Sequence, residues 1–284
     1  DDCNNYAEDT QVITIRDNVL PTFTVPADIA ICKNNDNLYD ASVEITGDVE
    51  VYSDNCTPID DLVVAYTQVV NEGTATETGS ILRTWTVTDV CGNVASATQT
   101  ITLNPAPVAQ LVVDPTSFCL PDTGLVVTAT LTGTPGTATY NYSITLPGNS
   151  TVTTSTANIV ITNPGVHTFT GFVTNSTTQC RSAVDTATTV ALLYPDFDIT
   201  NVINKRGCRD DVDSLNGSFT VTANTNYTYS ISPNVGSYTP HTFSNLPEGP
   251  YQITATHNLN HCAFTIDTVI KFNPVYTPLA EFRL

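Results

Sequence analysis

The sequence of 284 residues has very little positive charge. Lys and Arg together number 9, against 28 Asp and Glu, which gives a formal net charge of −19. Binding to nucleic acid or to an anionic membrane needs clustered Lys and Arg, so neither is expected as a partner. No apolar run reaches the roughly 20 residues of a membrane-spanning helix, and direct membrane insertion is not expected either. The absence of an initiating Met and of a signal peptide fits a processed or internal segment.

Strong helix formers are also sparse. Met is absent, and Thr and Val, which suit a pleated and half-buried surface, are abundant. No stretch of ten residues places apolar side chains at helical spacing. The sequence therefore predicts an all-β chain.

Motifs of catalysis are missing as well. The chain contains no HExxH, G-x-S-x-G, P-loop or dinucleotide-binding pattern, and no CxxC spacing that would favour zinc. His257 and His261 are four residues apart, but in a β-rich chain they are not expected to share one face of a helix, as the histidines of HExxH do. The sequence predicts a non-enzymatic protein without catalytic residues.

The best-formed local pattern lies at residues 81–103. Apolar residues alternate with Thr on both sides of a turn at Cys91-Gly92-Asn93, which predicts a β-hairpin. The hairpin carries the only Trp, Trp85, which is expected to be buried, with sugar stacking as the alternative role. Further strands are predicted at residues 23–31, 41–46 and 62–66.

Internal repetition predicts tandem domains. Residues 2–15 match residues 90–103 at a constant offset, which indicates that the chain opens partway through a unit. Pro-containing junctions separate the later units. The expected architecture is an extended rod of tandem immunoglobulin-like β-sandwiches, with 1–16 as the end of an upstream repeat, complete units at 17–105, 106–194 and 195–274, and 275–284 as the first strand of the next repeat.

The second and third complete units repeat each other. Tyr140-Asn-Tyr142 corresponds to Tyr227-Thr-Tyr229. Cys180 and Cys262 each lie five residues before an Asp-Thr pair. This shared order indicates two copies of one module.

Eight cysteines favour an oxidising, extracellular compartment. Each complete unit has an early and a late cysteine, and the partner of Cys3 is expected upstream. Cys32 is then left over, unless it bonds to Cys3 across the junction. The order of the cysteines predicts the pairs Cys56–Cys91, Cys119–Cys180 and Cys208–Cys262.

Acidic residues are concentrated in the first 105 residues, which carry 17 acidic and 3 basic side chains. Asp17 and Asn18 lie at the first junction, and Asp54 and Asp89 lie near the cysteine-containing turns. Oxygen ligands from a linker and adjacent loops suit calcium. The alternative is that these residues cap turns without a metal.

Three short Asp-Ser/Thr-apolar patterns are candidate sites of O-linked glycosylation. Their acceptors are Thr186, Ser214 and Thr268, and two of them recur at equivalent positions of the repeats. The alternative is that Thr186 and Thr268 are ordinary strand residues.

Three segments of the first complete unit resemble the hyalin-repeat (HYR) family. They are Phe23 to Ile31, Ser53-Asp-Asn-Cys56 and Arg83 to Ala95. The resemblance implies an immunoglobulin-like adhesion module. Many family members carry a further Cys on the last strand, where this chain has Ala95 to Thr98.

The third unit resembles the SprB-type repeat of Bacteroidota gliding-motility adhesins. The resemblance is carried by Asn216-Gly-Ser-Phe-Thr-Val221, Tyr227 to Ile231, Phe243 to Thr254 and Cys262. It implies a very large, repetitive protein on the bacterial cell surface, exported by type IX secretion.

These observations predict a structural stalk segment of a secreted cell-surface adhesin or filament. Its expected partners are neighbouring repeats, surface glycans or an outer-membrane anchoring protein. Two alternatives stay open. One is a carbohydrate-binding accessory region of a polysaccharide-degrading enzyme. The other is a fibre subunit whose segment Val275 to Leu284 completes a neighbour's sheet by strand addition.

Overall fold

The chain is built from β-strands that pair in three consecutive groups. A computed structural model describes residue 6 and residues 8–50, 52–207 and 216–274. The strands form tandem immunoglobulin-like β-sandwiches, which confirms the predicted fold class. The chain divides into two compact units: one holds residues up to 112 with 130–156 and 170–186, and the other holds 113–129, 157–169 and 187 onward.

The first group has a four-stranded sheet of order β2-β6-β5-β4 and a two-stranded sheet of β1 and β3. A short helix α1 (Val43–Thr46) and a 3-10 turn (Ile59–Asp61) lie between strands. The strands are β1 Thr22–Phe23, β2 Ile29–Cys32, β3 Tyr52–Ser53, β4 Val63–Asn71, β5 Gly79–Thr88 and β6 Val94–Asn104.

The predicted hairpin is confirmed by β5 and β6. The two strands pair antiparallel without a register shift, and Trp85 lies opposite Ala97. Ile81, Arg83, Trp85 and Val87 are buried on one face of β5, whereas Leu82, Thr84 and Thr86, on the other face, are half-buried or exposed. This is the period-two alternation that the sequence showed.

The strand predicted at residues 41–46 is wrong, because this stretch contains helix α1. The cause is the buried Arg83, whose guanidinium donates to Thr46 Oγ1 at 2.7 Å and to the Ala41 carbonyl oxygen at 2.6 Å. A helical turn brings these two acceptors to one buried charge. Gly47 ends the turn at φ +91°, a value that a β-branched residue would not adopt.

The second group has a five-stranded sheet of order β11-β10-β13-β14-β8 and a three-stranded sheet of order β12-β9-β7. The strands are β7 Val108–Asp114, β8 Ser117–Cys119, β9 Leu125–Thr134, β10 Tyr140–Thr145, β11 Thr151–Val152, β12 Thr156–Ile161, β13 Gly165–Asn175 and β14 Asp185–Leu192.

The third group has sheets of order β15-β17-β20-β19, β18-β21-β22 and β16-β23. Its core contains Phe219, Phe243 and Ile253 with the ring of Tyr229. The strands are β15 Ile199–Ile203, β16 Lys205–Gly207, β17 Gly217–Val221, β18 Tyr227–Ser232, β19 Ser237–Thr239, β20 Thr242–Leu246, β21 Gly249–His257, β22 Ala263–Ile270 and β23 Phe272–Pro274.

Each group also has a parallel pair that joins an early strand to its last strand. In the first group β2 pairs with β6, and in the second β8 pairs with β14. In the third, β16 pairs with β23. Cys32 and Cys119 are the last residues of β2 and β8, so they occupy equivalent places in their groups.

Two disulfides are present among the described residues, and both differ from the predicted pairs. Cys32 bonds to Cys180 with a Cα–Cα distance of 5.4 Å. Cys119 bonds to Cys262 with a Cα–Cα distance of 5.7 Å. The predicted pairs Cys119–Cys180 and Cys208–Cys262 are therefore wrong, and so is a bond between Cys3 and Cys32.

The physical reason is that Cys119 and Cys180 lie at opposite ends of β14. Cys119 pairs with Leu192 at the end of this strand, whereas Cys180 precedes its start at Asp185. Eight residues of extended chain span about 25 Å, and a disulfide needs Cα atoms within about 7 Å. Sequence order cannot reveal at which end of a sandwich a cysteine lies.

The predicted pair Cys56–Cys91 is not formed in the part of the chain that the structure describes. Both residues are exposed and free. Trp85 is buried as predicted, but it packs beside Tyr66, at 4.9 Å between ring centroids, rather than on a disulfide. Cys3 and Cys208 lie outside the described residues.

Candidate functional site

An acidic cluster forms where the first linker meets two loops of the first group. Asp17 precedes β1, Asp54 follows β3, and Asp89 follows β5. One carboxylate oxygen from each lies within 4.8 Å of those from the other two. The structure thus brings together three of the four residues predicted for calcium. Asn18, the fourth, is exposed.

Asp89 is fixed by the turn that the sequence predicted. Its Oδ1 accepts the Asn93 backbone N–H at 2.7 Å, and its Oδ2 accepts the Asn93 amide Nδ2 at 2.7 Å. The same amide donates to the Asp17 carbonyl oxygen at 3.2 Å. Asn93 therefore ties the linker to the β5–β6 turn.

Asp54 caps the loop after β3. Its Oδ2 accepts the backbone N–H groups of Cys56 at 2.9 Å and Thr57 at 2.8 Å. These hydrogen bonds to the charged form lower the pKa of Asp54 below its usual value. Asp17 is oriented similarly, because its Oδ1 accepts the Val19 N–H at 3.0 Å. Each carboxylate is thus held in place by hydrogen bonds.

The remaining oxygens of the cluster have the features of metal ligands. Asp17 Oδ2 and Asp54 Oδ1 are buried, and among the described residues no hydrogen-bond donor reaches them. A buried polar atom normally has a partner. Carboxylates this close also repel one another unless a cation lies between them.

The cluster also affects a neighbouring thiol. Cys56 lies two residues after Asp54, and its pKa is raised above the usual value, first by the negative charge of Asp17. A raised pKa disfavours the thiolate, so this thiol is a poor nucleophile and a poor metal ligand. The site therefore offers oxygen ligands.

Calcium fits this donor set better than zinc or magnesium does. Calcium accepts six to eight oxygen ligands in flexible geometry, whereas zinc prefers nitrogen and sulfur. Three carboxylates from three separate segments would supply part of such a shell, and waters would supply the rest. Magnesium needs near-ideal octahedral geometry and gives up its waters reluctantly.

Beside Cys180, an asparagine side chain joins two segments by hydrogen bonds. The side chain of Asn35 donates from Nδ2 to the Pro107 carbonyl oxygen at 2.9 Å and accepts the Ala183 N–H at Oδ1 at 2.8 Å. It therefore holds the linker before β7 and the loop before β14 together. No motif in the sequence marked Asn35, because an isolated Asn before Asp reads only as a turn.

Lys33 is the second residue that sequence reasoning missed. It is 2% exposed, and its Nζ donates to the carbonyl oxygens of Glu72 at 2.9 Å, Glu77 at 2.8 Å and Thr74. These bonds satisfy the buried ammonium and fix the β4–β5 loop. A lone Lys after a strand gives no signal of such a role.

The two described acceptors of the predicted glycosylation differ in accessibility. Thr186 is exposed on β14, next to Asp185, whose Oδ2 accepts the Leu111 N–H at 2.7 Å. Thr268 is half-buried on β22, opposite Tyr251. Ser214 lies outside the described residues. So does the segment Val275 to Leu284, which was predicted as the first strand of the next repeat, with strand addition to a neighbour as the alternative. Thr186 is the better-presented acceptor of the two.

A groove of about 650 Å³ is present in the second compact unit. The aromatic rings of Tyr194 and Phe264 lie 6.4 Å apart there, and Phe264 is 46% exposed. The carboxylates of Asp122 and Asp196 are at the same groove. No motif predicted this groove, because its walls come from three separate segments.

Comparisons with known proteins give fold likeness only. No family model matches the chain, and no curated protein matches it. Among solved structures, an E-to-A variant of titin domains I67-I69 has 10% identity and a TM-score of 0.40, covering 89% of this chain and 98% of that one.

Two further structures are similar at the same level. The three N-terminal domains of the Hoc capsid protein of bacteriophage RB49 have 12% identity and a TM-score of 0.36, covering 80% of this chain and 92% of that one. Drosophila N-cadherin EC1-4 has 10% identity and a TM-score of 0.29, covering 90% of this chain and 76% of that one.

Within the described ranges, no helix is long and apolar enough to cross a membrane.

Proposed function

We propose that this chain is a structural stalk segment of a large secreted adhesin or filament on a bacterial cell surface. The main observation in support is that disulfides join successive immunoglobulin-like groups. Cys32 of the first group bonds to Cys180 of the second, and Cys119 of the second bonds to Cys262 of the third. Such bonds persist in oxidising, extracellular surroundings. They hold neighbouring modules together, which suits a part whose task is mechanical and not catalytic.

A role in gliding motility is the finer form of this proposal. It is supported by the SprB-like segments and by the repeat of register between modules. Tyr142 lies opposite Val173, and the corresponding Tyr229 lies opposite Ala255. The test is an in-frame deletion of residues 17–274 from the gene of the parent cell. We expect labelled antibody to detect the intact protein on the cell surface and the deletion to reduce attachment or gliding. Protein found only in the cytoplasm would reject the proposal.

Calcium binding at the acidic cluster is the second part. Bound calcium would connect the linker at Asp17 to the loops that carry Asp54 and Asp89, and so would stiffen the entry to the first group. Isothermal titration with calcium chloride tests this. We expect one site, lost in Asp17→Asn/Asp89→Asn. The matched control is Asp60→Asn, which removes an exposed carboxylate outside the cluster. Equal binding by both variants would reject the site.

A carbohydrate-binding role is the alternative that one observation favours. Tyr194 and Phe264 expose aromatic rings at a groove that also carries carboxylates, and sugars commonly stack on such rings. Titration with soluble bacterial and plant polysaccharides tests this. Binding that is lost in Tyr194→Ala but kept in Tyr238→Ala, which alters an exposed tyrosine of another strand, would support the alternative. If neither the native chain nor the variants bind polysaccharide, the carbohydrate-binding alternative is rejected and only the stalk function remains.

A further inference from the structure

The two disulfides overlap along the chain. The first joins residues 32 and 180, and the second joins residues 119 and 262. Residues 119–180 therefore belong to both closed loops. Bridges confined to single modules, which the order of the cysteines suggested, would share no residue. The overlap determines which part of the backbone carries tension when the chain is pulled from its ends.

We propose that the overlapping bridges form a short covalent route through the segment, which limits how far the segment extends under load. Either bridge alone limits extension nearly as well as both together. This inference rests on the proposed stalk function, because only a load-bearing chain needs such a limit. The predicted extension itself depends only on the covalent bonds of this chain.

The first step of the argument is the length of the shortest covalent route. Residues 32 and 262 are 230 positions apart along the backbone. With both bridges closed, the route crosses from Cys32 to Cys180, returns along the backbone to Cys119 and crosses to Cys262. It contains only the 61 steps between residues 119 and 180. At about 3.5 Å per residue, full extension reaches about 210 Å instead of about 800 Å.

The second step is what happens when one bridge is lost. Without the bond at Cys32, the route follows the backbone from residue 32 to 119, which is 87 steps. Without the bond at Cys119, it follows the backbone from residue 180 to 262, which is 82 steps. The extended length therefore grows by only about 90 Å or about 70 Å. Loss of both bridges adds about 590 Å, far more than the two single losses combined.

The third step is the location of the force. The shortest route omits residues 33–118 and 181–261, so β3–β6 of the first group and β15–β21 of the third do not lie on it. It passes through β9–β13 of the second group. Strands within the two omitted ranges are bypassed by the bridges, so their unfolding cannot lengthen the route between residues 32 and 262.

Each bridge joins one buried cysteine to a more accessible one. Cys180 and Cys262 are fully buried, whereas Cys32 is exposed and Cys119 is half-buried. Reduction needs access to a sulfur atom, so Cys32 and Cys119 are the cysteines at which a soluble reductant is expected to attack.

The experiment is single-molecule extension of the whole chain between handles at its two ends. Cys3, Cys56, Cys91 and Cys208 are replaced by Ser to prevent exchange. A phosphine reductant is added while the oxidised molecule is held at high force, so that no variant has to refold. We expect two steps of unequal size. The first is about 70–90 Å, and the second is about 500 Å.

The same measurement on Cys32→Ser/Cys180→Ser and on Cys119→Ser/Cys262→Ser assigns the steps. Each variant is expected to show only the long step. A single step of about 210 Å would mean one bridge within the second group and would overturn the proposal. Two equal steps would overturn it as well. Because extension does not depend on adhesion or location, a failure here is distinct from a failure of the stalk function.

Discussion

Equivalent loops of the first and second groups hold the preceding segment in different ways. The loop after β13 carries Cys180, which bonds covalently to Cys32. The loop after β5 carries Cys91 in the corresponding place, but this thiol is free. Here Asp89 and Asn93 contact the linker at Asp17 instead. The comparison shows that one hairpin end serves as an attachment point through either a disulfide or hydrogen-bonded polar side chains.

The disulfide and the carboxylate cluster respond to different conditions. A disulfide constrains the unfolded chain and is indifferent to salt and chelators. Interactions among exposed carboxylates are screened by ionic strength, and a bound cation would add to them. The acidic junction is therefore expected to respond to the surrounding medium, whereas the junction at Cys180 is fixed once it is oxidised.

Removal of a bridge should have the largest effect. Cys119→Ser/Cys262→Ser opens a loop with a sequence separation of 143 residues, for which chain-entropy estimates give at most about 5 kcal/mol. We expect a loss of about 3–5 kcal/mol in the free energy of unfolding of the second compact unit, measured by urea denaturation. The control, Cys56→Ser/Cys91→Ser, breaks no bond and should change stability by less than about 0.5 kcal/mol. Equal losses would contradict the assigned pairing.

Calcium should stabilise the first junction and not the disulfide-linked ones. At a concentration about 100 times its dissociation constant, a ligand that binds only the folded state adds about 2.7 kcal/mol. Thermal unfolding with and without a chelator measures this. The Asp17→Asn/Asp89→Asn variant should lose the increase. If the chelator lowers the melting temperature of this variant as much as that of the native chain, the cation acts elsewhere.

The two asparagines that tie linkers to loops offer a matched pair. Asn35→Ala removes two hydrogen bonds beside the disulfide, and Asn93→Ala removes the amide bonds to Asp17 and Asp89. Each should cost about 1–2 kcal/mol of stability. Only Asn93→Ala should also weaken calcium binding, which titration calorimetry measures. Weaker binding in Asn35→Ala would show that the two junctions are coupled.

Neutralising a single carboxylate should have the smallest effect on stability. The change in melting temperature should have opposite signs without and with calcium. Asp54→Asn keeps an oxygen for the N–H groups of Cys56 and Thr57 and removes one charge from the cluster. Without cation, relief of repulsion should raise the melting temperature slightly. With calcium, loss of a ligand should lower it and should weaken affinity by about tenfold or more. The same sign under both conditions would argue against a metal at this place.

Local features of the fold were predictable, and long-range pairings were not. The β5–β6 hairpin follows from period-two alternation and a Gly-Asn turn, both contained in 23 residues. The acidic cluster was also found, because its members are polar residues at the ends of strands and in a linker. Helix α1 was missed, because the acceptors that Arg83 needs override the local preference for a strand.

The disulfides show the limit most clearly. Cys119 and Cys180 are an early and a late cysteine of one module, and the order of cysteines along the chain suggests that they meet. Their distance depends on which end of β14 each one occupies, and this depends on the parallel pairing of β8. Nothing in the local sequence of β8 specifies a parallel partner 73 residues away.

The parallel strand pairs have a consequence for direction. An early strand and the last strand of each group run the same way, as β2 and β6 do. The polypeptide therefore enters such a unit at one end and leaves it at the other. A unit with this vectorial path can be followed by another of the same kind without the backbone having to double back. Evolution can lengthen such a protein by gene duplication alone, at no cost in new connecting structure.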